Sequence, residues 1–164
     1  GIRDVAVTGV QTCALPISSA IVDADGDIAL HVAPGDAWRI AVDDPRDPGA
    51  DLATIVIDDR HPAGLAGVAT SGTSVHRWAD DPAGRPARHH LIDPRTGRPA
   101  RTDLVQVTVV AASPRAAETL AKAALILGMD EGLTFLDGSP ARGALLLHED
   151  GTLVAIPRTR AWLA

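Results

Sequence analysis

The sequence predicts an α+β domain, a largely antiparallel sheet with one main packed helix. Three observations carry that reading. Short β-type runs separated by Gly, Pro and Asp turns fill the chain up to about residue 72. Leu104–Ala111 (Leu-Val-Gln-Val-Thr-Val-Val-Ala) is rich in β-branched residues and fits a pleated surface buried on at least one face. One helical stripe follows it, opened by Ser113-Pro114 and closed by Gly128. Runs of strands with a single main helix make an α+β arrangement.

The elements follow in chain order. Ala20–Asp23 and Ile28–Val32 read as short strands around the turn Asp23-Ala-Asp-Gly-Asp27, with Gly26 supplying a positive φ. Trp38–Val42 alternates as a strand does. Asp43 to Asp51 holds Pro45, Pro48 and Gly49 and reads as a loop. Leu52–Asp58 and Leu65–Thr70 are further strands, and Asp80 to Pro86 is a polar loop. In the helix, Ala116, Leu120, Ala123, Ala124 and Leu127 form the apolar stripe. Asp130–Leu136 reads as a second, shorter helix. Gly143–His148 and Leu153–Ile156 close the chain as a hairpin across Glu149-Asp-Gly151.

Residues 1–17 differ from the rest. They carry the only cysteine, Cys13, end in Ala-Leu-Pro-Ile, and lack sustained patterning beyond Val5 and Val7. They read as foreign, adaptor-like sequence set apart from the fold, with a frayed terminal strand as the alternative.

Composition bounds the function. The 164 residues are 46% apolar, enough for the core of one domain. With one Phe and no Tyr, that core is aliphatic. A charged fraction of 22% argues against a disordered chain, and a net charge of −6 argues against a nucleic-acid partner. A single Cys excludes an intrachain disulfide and a Cys-cluster zinc site. No apolar run approaches a membrane span, and no signal-peptide pattern opens the chain. Localisation stays open.

Asp23, Asp25 and Asp27 have the spacing that opens a calcium loop. However, Ile28 stands where that loop needs Gly, and Pro34 where it needs Glu. A tight turn is the better account. His89-His90 is an adjacent pair, so in a strand the two rings face opposite ways and do not share one metal. His31, His61, His76 and His148 are scattered. His90-Leu-Ile-Asp-Pro-Arg-Thr-Gly-Arg-Pro99 is a stiff loop that reads equally as a ligand clamp or as a well-formed turn. In Val68-Ala-Thr-Ser-Gly72, small residues let a backbone approach a ligand closely, and Ser71 and Gly72 offer N–H donors to phosphate.

Taken in order, Asp25-Gly-Asp-Ile28, Val68–Gly72, His90–Pro99, Val107-Thr-Val-Val110 and Ala117-Glu-Thr-Leu-Ala-Lys-Ala123 before Gly128 resemble the ApbE family, the FAD:protein FMN transferases. The resemblance covers residues 18–164 and implies the C-terminal portion of a T-fold-like ApbE domain, a fragment whose N-terminal flavin-binding half is missing. It implies FAD as donor, AMP as leaving group, and a target flavoprotein whose Thr or Ser hydroxyl accepts FMN. It implies His90 as the catalytic proton-transfer group, with Ile92, Thr70, Ser71 and Gly72 near the flavin nucleotide. Asp93, Thr96 and Gly97 are expected to shape the loop.

In the family a magnesium ion neutralises the phosphates, and Glu118 matches its metal-binding Asp. Two departures stand beside it: Ala121 where a further Asp can occur, and Lys122 in place of the Thr that completes the metal site. Glu118 and Lys122 are four apart, in the favourable order for an ion pair on one helical face. The expectation is that Lys122 takes the metal's place. Two other readings remain: a non-catalytic FAD-binding protein, and a flavin-independent interaction remnant.

Overall fold

The computed structural model describes residues 18–59, 65–74, 77–78 and 88–164. The segment 1–17, His61, His76 and the loop expected at Asp80–Pro86 lie outside the described residues.

Twelve strands and two α-helices are seen among the described residues: β1 (Ala20–Ala24), β2 (Asp27–His31), β3 (Ala37–Asp43), β4 (Asp51–Asp58), β5 (Leu65–Gly72), β6 (Arg77–Trp78), β7 (Arg88–His89), β8 (Ile92–Asp93), β9 (Arg98–Pro99), β10 (Leu104–Ala111), α1 (Pro114–Leu127), α2 (Met129–Asp137), β11 (Gly143–His148) and β12 (Leu153–Ala155). A 3₁₀ helix, Pro157–Trp162, follows. The main sheet has the order β1-β2-β5-β10-β11-β12, and every neighbouring pair is antiparallel. The expected α+β class holds.

The centre of the sheet is buried on both faces, and that makes three layers. Val107, Val109 and Ala111 of β10 point to one side, against Ala117, Leu120, Ala121, Ala124 and Leu125 of α1. Val110 of β10, Val68 of β5 and Ile28 and Leu30 of β2 point to the other, against Ile40, Val42, Ile55 and Ile57 of the β3–β4 ribbon. The alternation of side chains along a strand assigns each residue to its layer.

The helix begins as the sequence predicts. Ser113 Oγ accepts the Ala116 N–H at 3.3 Å, and Pro114 occupies the first turn. Its buried face is rotated from the expected stripe. Ala117, Ala121 and Leu125 are buried, whereas Ala116, Ala123 and Leu127 are only partly so. Two apolar faces of the same composition compete on an alanine-rich helix, and packing against the sheet selects the one through Ala117, Ala121 and Leu125. α1 also lies very close to the sheet. A Cβ at Gly67 of β5 would overlap the Pro114 nitrogen and the Ser113 carbonyl carbon. Gly128, at φ 84°, ends α1, and its N–H donates to the Ala124 carbonyl at 3.1 Å.

Asp103 then fixes the start of α2. Its Oδ1 accepts the Met129 N–H at 2.9 Å, and its backbone carbonyl accepts the Glu149 N–H at 2.8 Å. His148 lies between carboxylates, 2.9 Å from Asp150 Oδ1 and 3.6 Å from Asp103 Oδ2. Hydrogen bonding to Asp150 raises the His148 pKa above its ordinary 6.5. The Asp150 carboxyl is held down at about 2, first by the Thr152 backbone N–H.

Two predictions follow from this packing. Gly67→Ala forces its methyl against the Ser113–Pro114 backbone, so it should cost about 3 kcal/mol or more and lower the melting temperature by about 6–12 °C. A shift below about 2 °C in a thermal melt would show that α1 does not sit so close. The second concerns pH. A raised imidazole pKa stabilises the fold fully below 6.5, and that contribution is lost as pH rises through the folded value. The stability advantage of the native chain over His148→Gln should therefore shrink between pH 5.5 and 8.5, which are about a unit or two either side of the unperturbed value. Melting-temperature differences that stay constant across that range would rule the contact out as a titrating one.

Candidate functional site

The expected site residues sit in three places. The first is a cleft of about 780 Å³ between the main sheet and the β3–β4 ribbon. Ile28, Val68, Ile40 and Val42 line it with apolar surface, and Thr70, Thr108 and Gln106 give it a polar floor. The Thr70 and Thr108 hydroxyls bond at 2.8 Å, and Gln106 Nε2 donates to the Asp43 carbonyl at 3.1 Å. Those bonds hold the polar floor of the cleft in one arrangement.

Strand alternation separates Thr70 from Ser71. Thr70 lines the cleft, whereas Ser71 is buried on the opposite side of β5, the side α1 covers. Their backbone groups are separated too. The Thr73 N–H donates to the Val105 carbonyl at 2.9 Å. Carried along the same register, this puts Ser71 in a hydrogen-bonded pair with Val107. Thr70 and Gly72 then turn their N–H and C=O groups to the other edge, past the Ile28–Val68 pair where the β2 ladder ends. The amides aimed away from the β10 ladder are thus those of Thr70 and Gly72. Of the expected pair Ser71 and Gly72, only Gly72 is so placed, because the Ser71 N–H belongs to the ladder.

The second place is the hairpin β8–β9. Asp93 pins it. Its Oδ1 accepts from the Arg95 N–H at 2.9 Å and from Arg95 Nε at 3.0 Å. Its carbonyl accepts from the Thr96 and Gly97 N–H groups at 3.1 and 2.8 Å, and Gly97 has φ 66°. The hydrogen bonds from Arg95 hold the Asp93 carboxyl below the usual range. Asp93 and Thr96 also line a smaller hollow with Arg98, Pro99 and Arg101. Ile92 presents its side chain outward, 47% exposed.

His89, which sequence reasoning gave no role, locks the base of this hairpin. Its Nδ1 accepts the Leu91 N–H at 3.3 Å, so Nε2 carries the proton and donates to the Ala100 carbonyl at 3.0 Å. Ala100 in turn donates its N–H to the Leu91 carbonyl at 2.9 Å. One histidine of the pair is thus structural, and its neighbour His90 is left on the surface. The adjacency predicts both rings in one strand, but β7 ends at His89 and His90 lies beyond it.

The third place is the flank of α1 beside the start of β2. Lys122 Nζ contacts Glu118 Oε1 in an ion pair. Asp27, at the end of the Asp-rich turn, lies within range of both charges: burial and then Glu118 raise its carboxyl above the ordinary 3.8, while Lys122 pulls the other way. The turn itself forms as predicted, with Asp25 at φ 59° and Gly26 at φ 93°. The Gly26 N–H donates to Asp23 Oδ1 at 2.8 Å. Ala121 is fully buried against the sheet, so a carboxylate there would point into the core.

A magnesium ion needs several oxygen ligands. The residue beside Glu118 is instead an ammonium, which has no lone pair to give. The donor set does not fit that ion, and among the described residues no group of three or more His, Cys, Asp or Glu side chains could hold a metal. No helix among the described residues is long and apolar enough to cross a membrane.

Comparison with known proteins gives a consistent result. A model of the ApbE family matches residues 5–146. By sequence, no curated protein matches. Among solved structures, an ApbE protein from Thermotoga maritima superposes with a TM-score of 0.73 at 25% identity, covering 89% of this chain and 45% of that one. A flavin transferase ApbE from Vibrio cholerae gives 0.65 at 26% identity, covering 98% of this chain and 48% of that one. The apo form of a flavinyl transferase ApbE from Pseudomonas stutzeri gives 0.65 at 23% identity, covering 96% and 48%, a likeness of fold. The chain thus spans about half the length of the solved relatives it matches.

The His89 lock is testable. His89→Ala leaves the Leu91 amide and the Ala100 carbonyl without their partner, which should cost about 1–3 kcal/mol. Urea unfolding measures it, and the Leu91 amide should exchange faster with solvent. Unchanged exchange at Leu91 would show that the hairpin closes without the ring.

Proposed function

The chain belongs to the ApbE family, and from that premise we propose that it serves in an FAD:protein FMN transferase. The observation that carries the reading is the likeness of its fold, over nearly its whole length, to a solved flavin transferase. FAD is the donor substrate, and the acceptor is a Thr or Ser hydroxyl of a target flavoprotein. The hydroxyl oxygen attacks the phosphorus atom of the FMN half. The bond from that phosphorus to the bridging oxygen breaks, AMP leaves with the bridging oxygen and its electron pair, and an FMN phosphoester remains on the acceptor. Such a transfer depends on an in-line pose and on neutralised phosphate charge more than on covalent help from the protein.

The residues divide the work as follows. His90 takes the acceptor hydroxyl's proton. The reading is supported by its surface position beside a locked neighbour, where a macromolecular acceptor can reach it. Ile92 offers apolar contact to the flavin ring. The backbone amides of Thr70 and Gly72 offer donors to phosphate oxygens, while Ser71 supports that strand from the α1 side. A binding protein that keeps FAD without transferring it is the second reading, favoured by the ammonium that sits on Glu118.

The test combines the protein, FAD and an acceptor flavoprotein, and reads the acceptor by intact mass. The expected result is a gain of one FMN. His90→Ala should slow its appearance by about 100-fold or more, the usual worth of a general base. Quenching of FAD fluorescence with no mass gain would leave the binding reading in place of the transferase. Neither signal would remove flavin from the account.

A further inference from the structure

The clearest disagreement between this chain and its family lies on the flank of α1 beside the start of β2. Lys122 is one helical turn after Glu118, and the two side chains meet as an ion pair. The pair is half open to solvent, with side-chain exposures of 45% for Lys122 and 30% for Glu118. Asp27 approaches from the Asp-rich turn, on the side of the sheet that α1 covers, and lies within electrostatic range of both. Asp23 and Asp25 add their charge to Asp27 from the same turn. In this small region a single ammonium stands among carboxylates drawn from two elements.

We propose that the Lys122 ammonium is a tethered cation standing where the family resemblance implies a divalent ion, so that this chain takes no divalent metal at Glu118. The physical argument is competition for one place. A carboxylate already holding an ammonium has lost much of its attraction for a second cation. An approaching ion would also meet the repulsion of Lys122 at close range. Lysine suits the role because its charge is a compact point on a flexible stem, able to leave Glu118 and meet a phosphate oxygen. Ala121 cannot supply a replacement ligand from its place in the core.

The assignment of what the ammonium neutralises, the pyrophosphate of FAD, rests on the function proposed above. The exclusion of a metal does not. The two are separable because metal binding is measured without flavin. Mn²⁺ is the probe, followed by electron paramagnetic resonance and by calorimetry on the full chain. Two variants are compared with it: Lys122→Thr, and Lys122→Gln, which keeps a long side chain and supplies an amide oxygen.

The expected result is no Glu118-dependent Mn²⁺ binding by the native chain. Either variant should bind at least about tenfold more tightly, a factor equal to about 1.4 kcal/mol. Adding Glu118→Gln to either variant should abolish that gain. Circular dichroism melts establish which variants fold, and either one that folds is sufficient. Native binding as tight as that of the variants would overturn the proposal, as would no gain in a folded variant. Should FAD fail to bind while these outcomes hold, the flavin reading falls and the cation assignment stands.

Discussion

The ladder between β5 and β10 is the constraint on which the other parts of this molecule depend. Both strands lie inside the sheet, each paired on both edges. Their side chains alternate between two packed layers, so the register that aligns Thr70 with Thr108 also decides which neighbours face the helices and which face the ribbon. A slip of one residue would exchange the layers wholesale. The same ladder sets the cleft floor through the paired threonine hydroxyls, and through Gly67 it sets how near α1 can come. The position of Glu118 and Lys122 relative to the Asp-rich turn is a consequence of that approach.

Much of the fold was legible because its local signals agree with its tertiary ones. The run Leu104–Ala111 is a strand by composition and by burial, with the same bounds in both. Ser113-Pro114 is a helix start by chemistry and in space. The buried face of α1 was not legible. Alanines occur on several sides of that helix, so the hydrophobic pattern leaves its rotation undecided, and the decision comes from packing against the sheet. The β3–β4 ribbon was legible as strands but not as a separate layer. Nothing in an isolated amphipathic hairpin says which face of which sheet it will cover.

At the candidate site, sequence order marked the right segments and missed how they divide in space. Thr70 and Ser71 are adjacent in the chain but stand on opposite faces of one strand. His89 and His90 are likewise adjacent, yet one ring is spent on holding a hairpin together. The spacing of Glu118 and Lys122 foretold their contact, because four residues make one turn whatever the surroundings. Pairings within a turn of helix are readable from spacing. Sidedness across a sheet is readable only once register is known.

The wide separation in sequence of the central partners bears on how the molecule forms in time. Thr70 and Thr108, which meet at the middle of the sheet, are 38 residues apart in the chain. By contrast, the β3–β4 ribbon, the β8–β9 hairpin and the α1–α2 pair each join close neighbours. Closing a long loop costs entropy before its contacts repay it. The peripheral units therefore close at a lower entropic cost than the spine that orients them.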